Sequence, residues 1–299
     1  MVDSAKYSGL KEKYERDGYV IVPDLIDPAD WTDLEGACEH AVSRTREGAW
    51  RYRRTVGRQF PPYGEDDPDS WGVQHVMHPE MGEKAFVRWY TSPRLLEVVK
   101  VLLGCEERDL QMELFNLLIN PVSHDFALRW HRDDIREDAT IEEEQKALDI
   151  WHFGVQWNTA LYIDSCLYVV PGSHKIPRTD EQRVNSSGQV PENPLDMPGS
   201  IRVTLQPGES VFYNQNILHC ATYNSKAKRA TLHACIGDTK GGTTRARNIL
   251  QHELQWMKGE EFAKTIPNEV GRGMLKNLIG MYDESRKDGK DEIVYSLKN

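Results

Sequence analysis

Apolar residues recur at helical spacing near the two ends of the chain and come in short runs, broken by turn residues, in between. Tyr14 to Val22 reads as the end of a helix followed, after Gly18, by a short strand. Asp27-Pro28 has the character of an N-cap with proline at the first helical position, and Trp31, Leu34, Cys38 and Ala41 then share one helical face. Ser92-Pro93 repeats that start before the apolar run 95–103, and Gly104 is placed to stop it. From residue 110 onward apolar runs fall at 111–119, 155–163, 167–170, 201–205, 210–213 and 230–236. Asn120-Pro121, Pro171-Gly172, Pro198-Gly199, Pro207-Gly208 and Gly241-Gly242 punctuate them. Strands in series predict a sandwich or barrel rather than alternating βα units. Residues 140–149 predict a helical insertion with Glu142, Glu143 and Glu144 on a wet face, and 251–282 predict helix again. Residues 55–80, rich in Pro, Gly, Asp and aromatics, predict a long structured loop of the sort that often carries function. The expected fold class is mainly β with flanking helices, in a single domain: a helical and loop region 1–109, a β core 110–250 and carboxy-terminal helices 251–299.

Composition narrows the function. Apolar residues make up 39% and charged residues 28%, enough to build a packed core. Lys plus Arg number 37 against 47 Asp plus Glu, a net charge of −10, which argues against nucleic acid and anionic membrane as partners. The sequence has neither a membrane-length apolar run nor the pattern of a signal peptide, so a cytoplasmic protein is expected. Cys38, Cys105, Cys166, Cys220 and Cys235 show no CxxC spacing, so neither a disulfide framework nor a zinc finger is expected.

Three features carry candidate chemistry. On a strand, His131 and Asp133 would face one way, and an imidazole with a carboxylate suits Fe(II), Mn or Zn. Ten histidines make a chance His-x-Asp pair common, so the pair alone is weak. The stretch 207–219 reads as turn, strand and loop delivering His219 near a strand end. Two imidazoles and one carboxylate would leave three metal positions open, as in non-haem Fe(II) oxygenases. Arg229 and Thr231 would share a strand face, where a guanidinium fork can grip a carboxylate; an intramolecular salt bridge is the competing reading.

The segment Tyr14-Glu-Arg-Asp-Gly-Tyr-Val-Ile-Val-Pro-Asp-Leu-Ile, the pair His131-x-Asp133, the stretch Cys166-Leu-Tyr-Val-Val-Pro-Gly-Ser-His-Lys and the run from Pro207-Gly-Glu-Ser through His219 to Arg229 together resemble the phytanoyl-CoA dioxygenase family. The resemblance spans about residues 10–236 and implies a double-stranded β-helix (jelly-roll, cupin-like) core. It implies Fe(II) held by His131, Asp133 and His219, and 2-oxoglutarate and O2 as co-substrates. It further implies that Arg229 holds the distal carboxylate of 2-oxoglutarate with Thr231 assisting, and that Trp157, with Thr159 on the same strand face, lies near the co-substrate. Gln74 and His75, in a loop that roofs the site in relatives, are expected to line the substrate pocket with Phe115, and His174 to stabilise a turn. The chain departs from the family pattern at Leu128-Arg129, where Gln is usual, in a shortened Asp164-Ser165 hairpin, and in the acidic helix between Asp133 and Trp157. With Asp133 in the carboxylate position, halogenation is not expected. The expected activity is oxidation of a small organic, natural-product-like molecule, by hydroxylation or by desaturation or rearrangement, with a homodimer left open. A cupin-like metal-dependent hydrolase or isomerase, and a non-catalytic jelly-roll binding protein, are the alternatives.

Overall fold

The computed structural model describes residue 7 and residues 9–55, 69–245 and 253–285. Half of the loop expected over 55–80, residues 56–68, lies outside the described residues. Eleven strands are described: β1 (Tyr19–Val22), β2 (Arg53–Arg54), β3 (Gly72–Val73), β4 (Leu110–Leu118), β5 (Phe126–Ala127), β6 (Gly154–Ala160), β7 (Leu167–Val169), β8 (Ile201–Arg202), β9 (Ser210–Tyr213), β10 (His219–Tyr223) and β11 (Thr231–Asp238). They pair antiparallel into a seven-stranded sheet, β1-β9-β6-β11-β4-β3-β2, and a four-stranded sheet, β5-β10-β7-β8. The mainly β expectation therefore holds. β10 was not among the expected apolar runs.

Alternation along the long sheet separates two environments. Phe115, Trp157, Phe212 and Leu232 face out into the main core, against the helices α1 (Leu10–Asp17), α2 (Trp31–Arg46), α3 (Lys84–Tyr90) and α4 (Pro93–Leu103) and the carboxy-terminal helix Glu269–Ser285. Their neighbours Asn116, Asn158, Val211 and His233 take the opposite face. Tyr90 locks this layer to the sheet: it stacks on Phe115 and Trp157, donates to the Cys235 carbonyl at 2.6 Å and accepts from the Glu113 N–H at 2.9 Å. Those two backbone groups lie at the register shift between β4 and β11.

Local signals placed most helix ends. α4 starts at Pro93 and ends at Gly104, whose φ of 68° suits glycine. Asp27 caps a single turn, its Oδ1 accepting from the Ala29 N–H at 3.0 Å, and α2 begins only at Trp31. The insertion forms α5 (Ile141–Leu148) behind a capping box of Thr140 and Glu143. Its wet face is a correction: Glu142 and Glu143 are exposed, whereas Glu144 is fully buried among Arg132, Arg178 and Arg183. A later short helix is α6 (Asp180–Ser186). The expected helix at 251–282 resolves, within the described residues, into a 3-10 turn Leu254–Lys258 and helices Glu260–Thr265 and Glu269–Ser285. Among the described residues no helix is long and apolar enough to cross a membrane.

Because Tyr90 satisfies two buried backbone groups at once, Tyr90→Phe is expected to destabilise the fold by about 1–3 kcal/mol, the cost of leaving such groups unpaired. A urea midpoint shifted down with an unchanged slope would show it.

Candidate active site

His131 and Asp133 do not lie on a regular strand, contrary to the expectation from their spacing. The described part of their strand, β5, ends at Ala127, and His131 rejoins the sheet only through a bridge to His219. In that bridge each residue's N–H donates to the other's carbonyl, at 2.9 and 3.0 Å. Asp133 is held separately by its N–H on the Gln215 carbonyl at 3.0 Å. The result is three donor atoms that all lie within 4.8 Å of one another. The Nε2 atoms of His131 and His219 stand 3.5 and 3.6 Å from Asp133 Oδ1.

Hydrogen bonds settle which ring nitrogen is free. His131 Nδ1 meets the Arg129 carbonyl at 2.8 Å and His219 Nδ1 meets the Ile217 carbonyl at 2.8 Å. A carbonyl only accepts, so both Nδ1 atoms carry protons and Nε2 is the nitrogen of each ring that faces Asp133. Burial, then the neighbouring His131, lowers the His219 imidazole to about 4, so it is neutral at pH 7. Burial works against the Asp133 charge, but His219, His131 and the Gln156 amide outweigh it and hold the carboxyl well below the usual range. Gln156 Nε2 donates to Asp133 Oδ2 at 2.8 Å, which leaves Oδ1 turned to the imidazoles. Two imidazole Nε2 atoms and a charged carboxylate oxygen on one face form a donor set for a divalent metal.

Further along the inner face Arg229 is buried, with Nε on Asp164 Oδ2 at 2.9 Å and its guanidinium 4.9 Å from the centre of the Tyr223 ring. Thr231 hydrogen-bonds the same carboxylate oxygen. Among the described residues Arg229 Nη1, though buried, has no hydrogen-bond partner. Burial disfavours the Arg229 charge, yet Asp164 more than offsets that, so the guanidinium stays charged with its Nη1 unspent. Such a group suits an incoming carboxylate. Between Arg229 and the histidines, Asn116, His233 and Asn158 form an in-register row across β4, β11 and β6. His233 Nδ1 lies 2.9 Å from Asn158 Oδ1, and burial and Arg54 push its imidazole down to about 3.

A profile of the phytanoyl-CoA dioxygenase (PhyH) family matches residues 14–231. The chain belongs to that family. It is accordingly a non-haem enzyme whose class works with iron and 2-oxoglutarate. No curated protein matches it in sequence. Among solved structures, AviO1 from Streptomyces viridochromogenes Tue57 is similar at 16% identity and TM-score 0.54, over 80% of this chain and 96% of that one. The epimerase SnoN from nogalamycin biosynthesis, described as non-haem and alpha-ketoglutarate dependent, is similar at 20% identity and TM-score 0.52, over 79% and 85%. EctD from S. alaskensis, solved with 2-oxoglutarate and 5-hydroxyectoine, is similar at 18% identity and TM-score 0.53, over 81% and 78%. These likenesses establish the shared jelly-roll fold.

The structure brings His131, Asp133 and His219 together and sets Arg229 with Thr231 on the inner face. It does not bring Trp157, Thr159 or Phe115 there. Strand alternation puts Gln156 and Asn158 inward, so Trp157 and Thr159 face out: Trp157 packs on Tyr90 and Phe212, and Thr159 bonds Ser210 at 2.6 Å. Phe115 is likewise core, against Phe86, Trp89 and Tyr90. Gln74 and His75 are buried beside β4; His75 donates its N–H to Asn116 Oδ1 at 3.2 Å, stacks on Tyr52 and accepts from Trp256 Nε1 at 3.0 Å. His174 Nε2 donates to the Glu15 carbonyl at 3.0 Å, tying its turn to α1. Sequence reasoning missed Gln156, Asn158, His233 and Asp164. The first three were readable once the inward phase of β6 and β11 is set by Thr231; Asp164 sat in the shortened hairpin, far from Arg229 in sequence.

Asp164 balances a buried cation, so Asp164→Asn is expected to lower stability at pH 7 by about 3–5 kcal/mol. Burial opposes the Asp164 charge, but Arg229, Thr231 and the Cys166 N–H depress its pKa in the fold. Its stabilisation is therefore complete above about pH 4 and is lost as pH falls through the depressed folded value. Wild-type and Asp164→Asn stabilities should converge on acidification, which urea unfolding across pH would reveal.

Proposed function

We propose that the chain acts as a single-domain Fe(II)/2-oxoglutarate-dependent dioxygenase that oxidises a small organic, natural-product-like substrate, by hydroxylation in the default case, with release of succinate and CO2. The observation that carries this reading is a metal-competent His-Asp-His face sharing its inner wall with a buried arginine that keeps one donor unspent. Iron with 2-oxoglutarate supplies oxidising power by coupling dioxygen activation to decarboxylation of the co-substrate.

The chain's own residues then have distinct tasks. His131, Asp133 and His219 hold the metal on one side and leave the other positions to ligands. The backbone carbonyls of Arg129 and Ile217 fix both imidazoles before any metal arrives, which limits reorganisation on binding. Arg229 Nη1 takes the distal carboxylate of 2-oxoglutarate, with Asp164 holding the guanidinium in place and Thr231 beside it. Asn116, Asn158 and neutral His233 offer hydrogen bonds without charge along the wall between these two anchors. A neutral polar wall and a net charge of −10 favour a small, uncharged or weakly charged substrate over an acyl-CoA. A hydrolase using the same three ligands would have no task for an unspent buried guanidinium.

Anaerobic visible absorption of metal-free protein is the test. A charge-transfer band that requires both Fe(II) and 2-oxoglutarate is expected, and His131→Ala should abolish it. Arg229→Met should leave Fe(II) binding intact and weaken 2-oxoglutarate by about 10- to 150-fold, equivalent to about 1.5–3 kcal/mol for a hydrogen bond to a charged group. A folded protein that gives no band would sink the oxygenase reading in favour of a zinc or manganese hydrolase or a binding protein.

A further inference from the structure

The residue between the two early ligands points the other way. Arg132 is buried, and its guanidinium is spent on four acceptors: Glu144 Oε1 at 2.9 Å, the Ser173 carbonyl at 2.7 Å, the Ile176 carbonyl at 3.0 Å and the Asn216 carbonyl. Glu144, from the insertion helix α5, is also fully buried and receives Arg178 Nε at 3.0 Å and Arg183 Nη2 as well as Arg132. One carboxylate thus sits among three guanidinium groups, and no other carboxylate of the described residues forms an ion pair with Arg132, Arg178 or Arg183.

Resting on the oxygenase reading, we infer that Glu144 is a positioning residue for the metal site: through Arg132 it holds the His131–Asp133 segment and the 215–219 turn in the geometry that metal binding needs. The turn is where the two arms meet. Gln215 gives its carbonyl to the Asp133 N–H, Asn216 to Arg132, and Ile217 to His219 Nδ1, while Ser173 Oγ accepts from the Leu218 N–H at 2.8 Å. Arg132 joins three of these pieces, because it also holds the Ser173 carbonyl. Removing Glu144 leaves three like charges buried together, and their mutual repulsion would push Arg132 off its carbonyls. The insertion helix is on this view a clamp on the metal segment, fixed in the resting protein, in place of a lid.

The test separates positioning from mere stability. Fe(II) affinity of the full-length metal-free protein is measured by anaerobic titration, alongside Tm and far-UV circular dichroism. Glu144→Gln keeps the shape but not the charge; Arg132→Lys keeps the charge, yet one ammonium cannot reach all four acceptors. Both variants are expected to stay folded and to bind Fe(II) about 10- to 100-fold more weakly, the size of effect seen when the groups that orient metal ligands are disturbed. Glu144→Asp should recover part of that loss. Leu278→Ala, which opens a cavity in the core under the carboxy-terminal helix, should lower Tm and leave Fe(II) affinity unchanged. If Glu144→Gln fails to fold, Arg132→Lys decides the matter alone. Variants that lose Tm but bind Fe(II) like wild type would overturn the positioning role while the oxygenase reading stands. Wild-type protein that binds no Fe(II) would overturn both.

Discussion

Two reciprocal backbone hydrogen bonds between His131 and His219 hold the candidate site together. They join segments widely separated in sequence, at the edge where the four-stranded sheet meets the incoming chain. The contact between main chains sets the two residues side by side, and with both rings held by carbonyls their centres lie 4.3 Å apart. Everything else at the site refines that pairing. Carbonyls choose the tautomers, Gln156 turns the Asp133 carboxylate, and Arg132 secures the turn from behind.

The barrel separates two kinds of work by the simplest rule of a strand, alternation. Outward positions of the long sheet such as Phe115, Trp157, Phe212 and Leu232 are aromatic or aliphatic and pack against the helix layer; inward positions such as Asn116, Asn158, Gln156 and His233 are polar. Tyr90 shows how tightly the layers couple, since one hydroxyl from α3 satisfies backbone groups of two neighbouring strands. A rigid outer layer lets the inner face carry buried polar groups, including one charged donor held in reserve on Arg229.

Charge burial follows the same division. Arg229 is balanced by a single aspartate that uses only part of its fork, which suits a site awaiting an anion. Arg132 makes four hydrogen bonds, to one carboxylate and three carbonyls, which suits a structural anchor. Two arginines of similar burial thus have opposite uses, and the difference lies in how many of their donors the protein itself consumes.

Much of this was legible in one dimension. Turn residues delimited the strands of the core, Gly104 and Ser92-Pro93 bracketed α4, and His131, Asp133, His219 and Arg229 were candidates by residue type whose roles the resemblance to the family implied. What could not be read is the phase and partner of each strand. Trp157, Thr159 and Phe115 look like pocket residues until the register shows that their face is the helix side. Glu144 looks like one of three wet glutamates on a helix, since three buried arginines arrive from elsewhere in the chain to surround it. Asp164 becomes the partner of Arg229 only through a contact between distant hairpins. Residue type and short-range spacing carry the donor chemistry, because those depend on neighbours in sequence. Which face a side chain takes, and which charge it meets there, depends on long-range pairing, and only the folded barrel decides that.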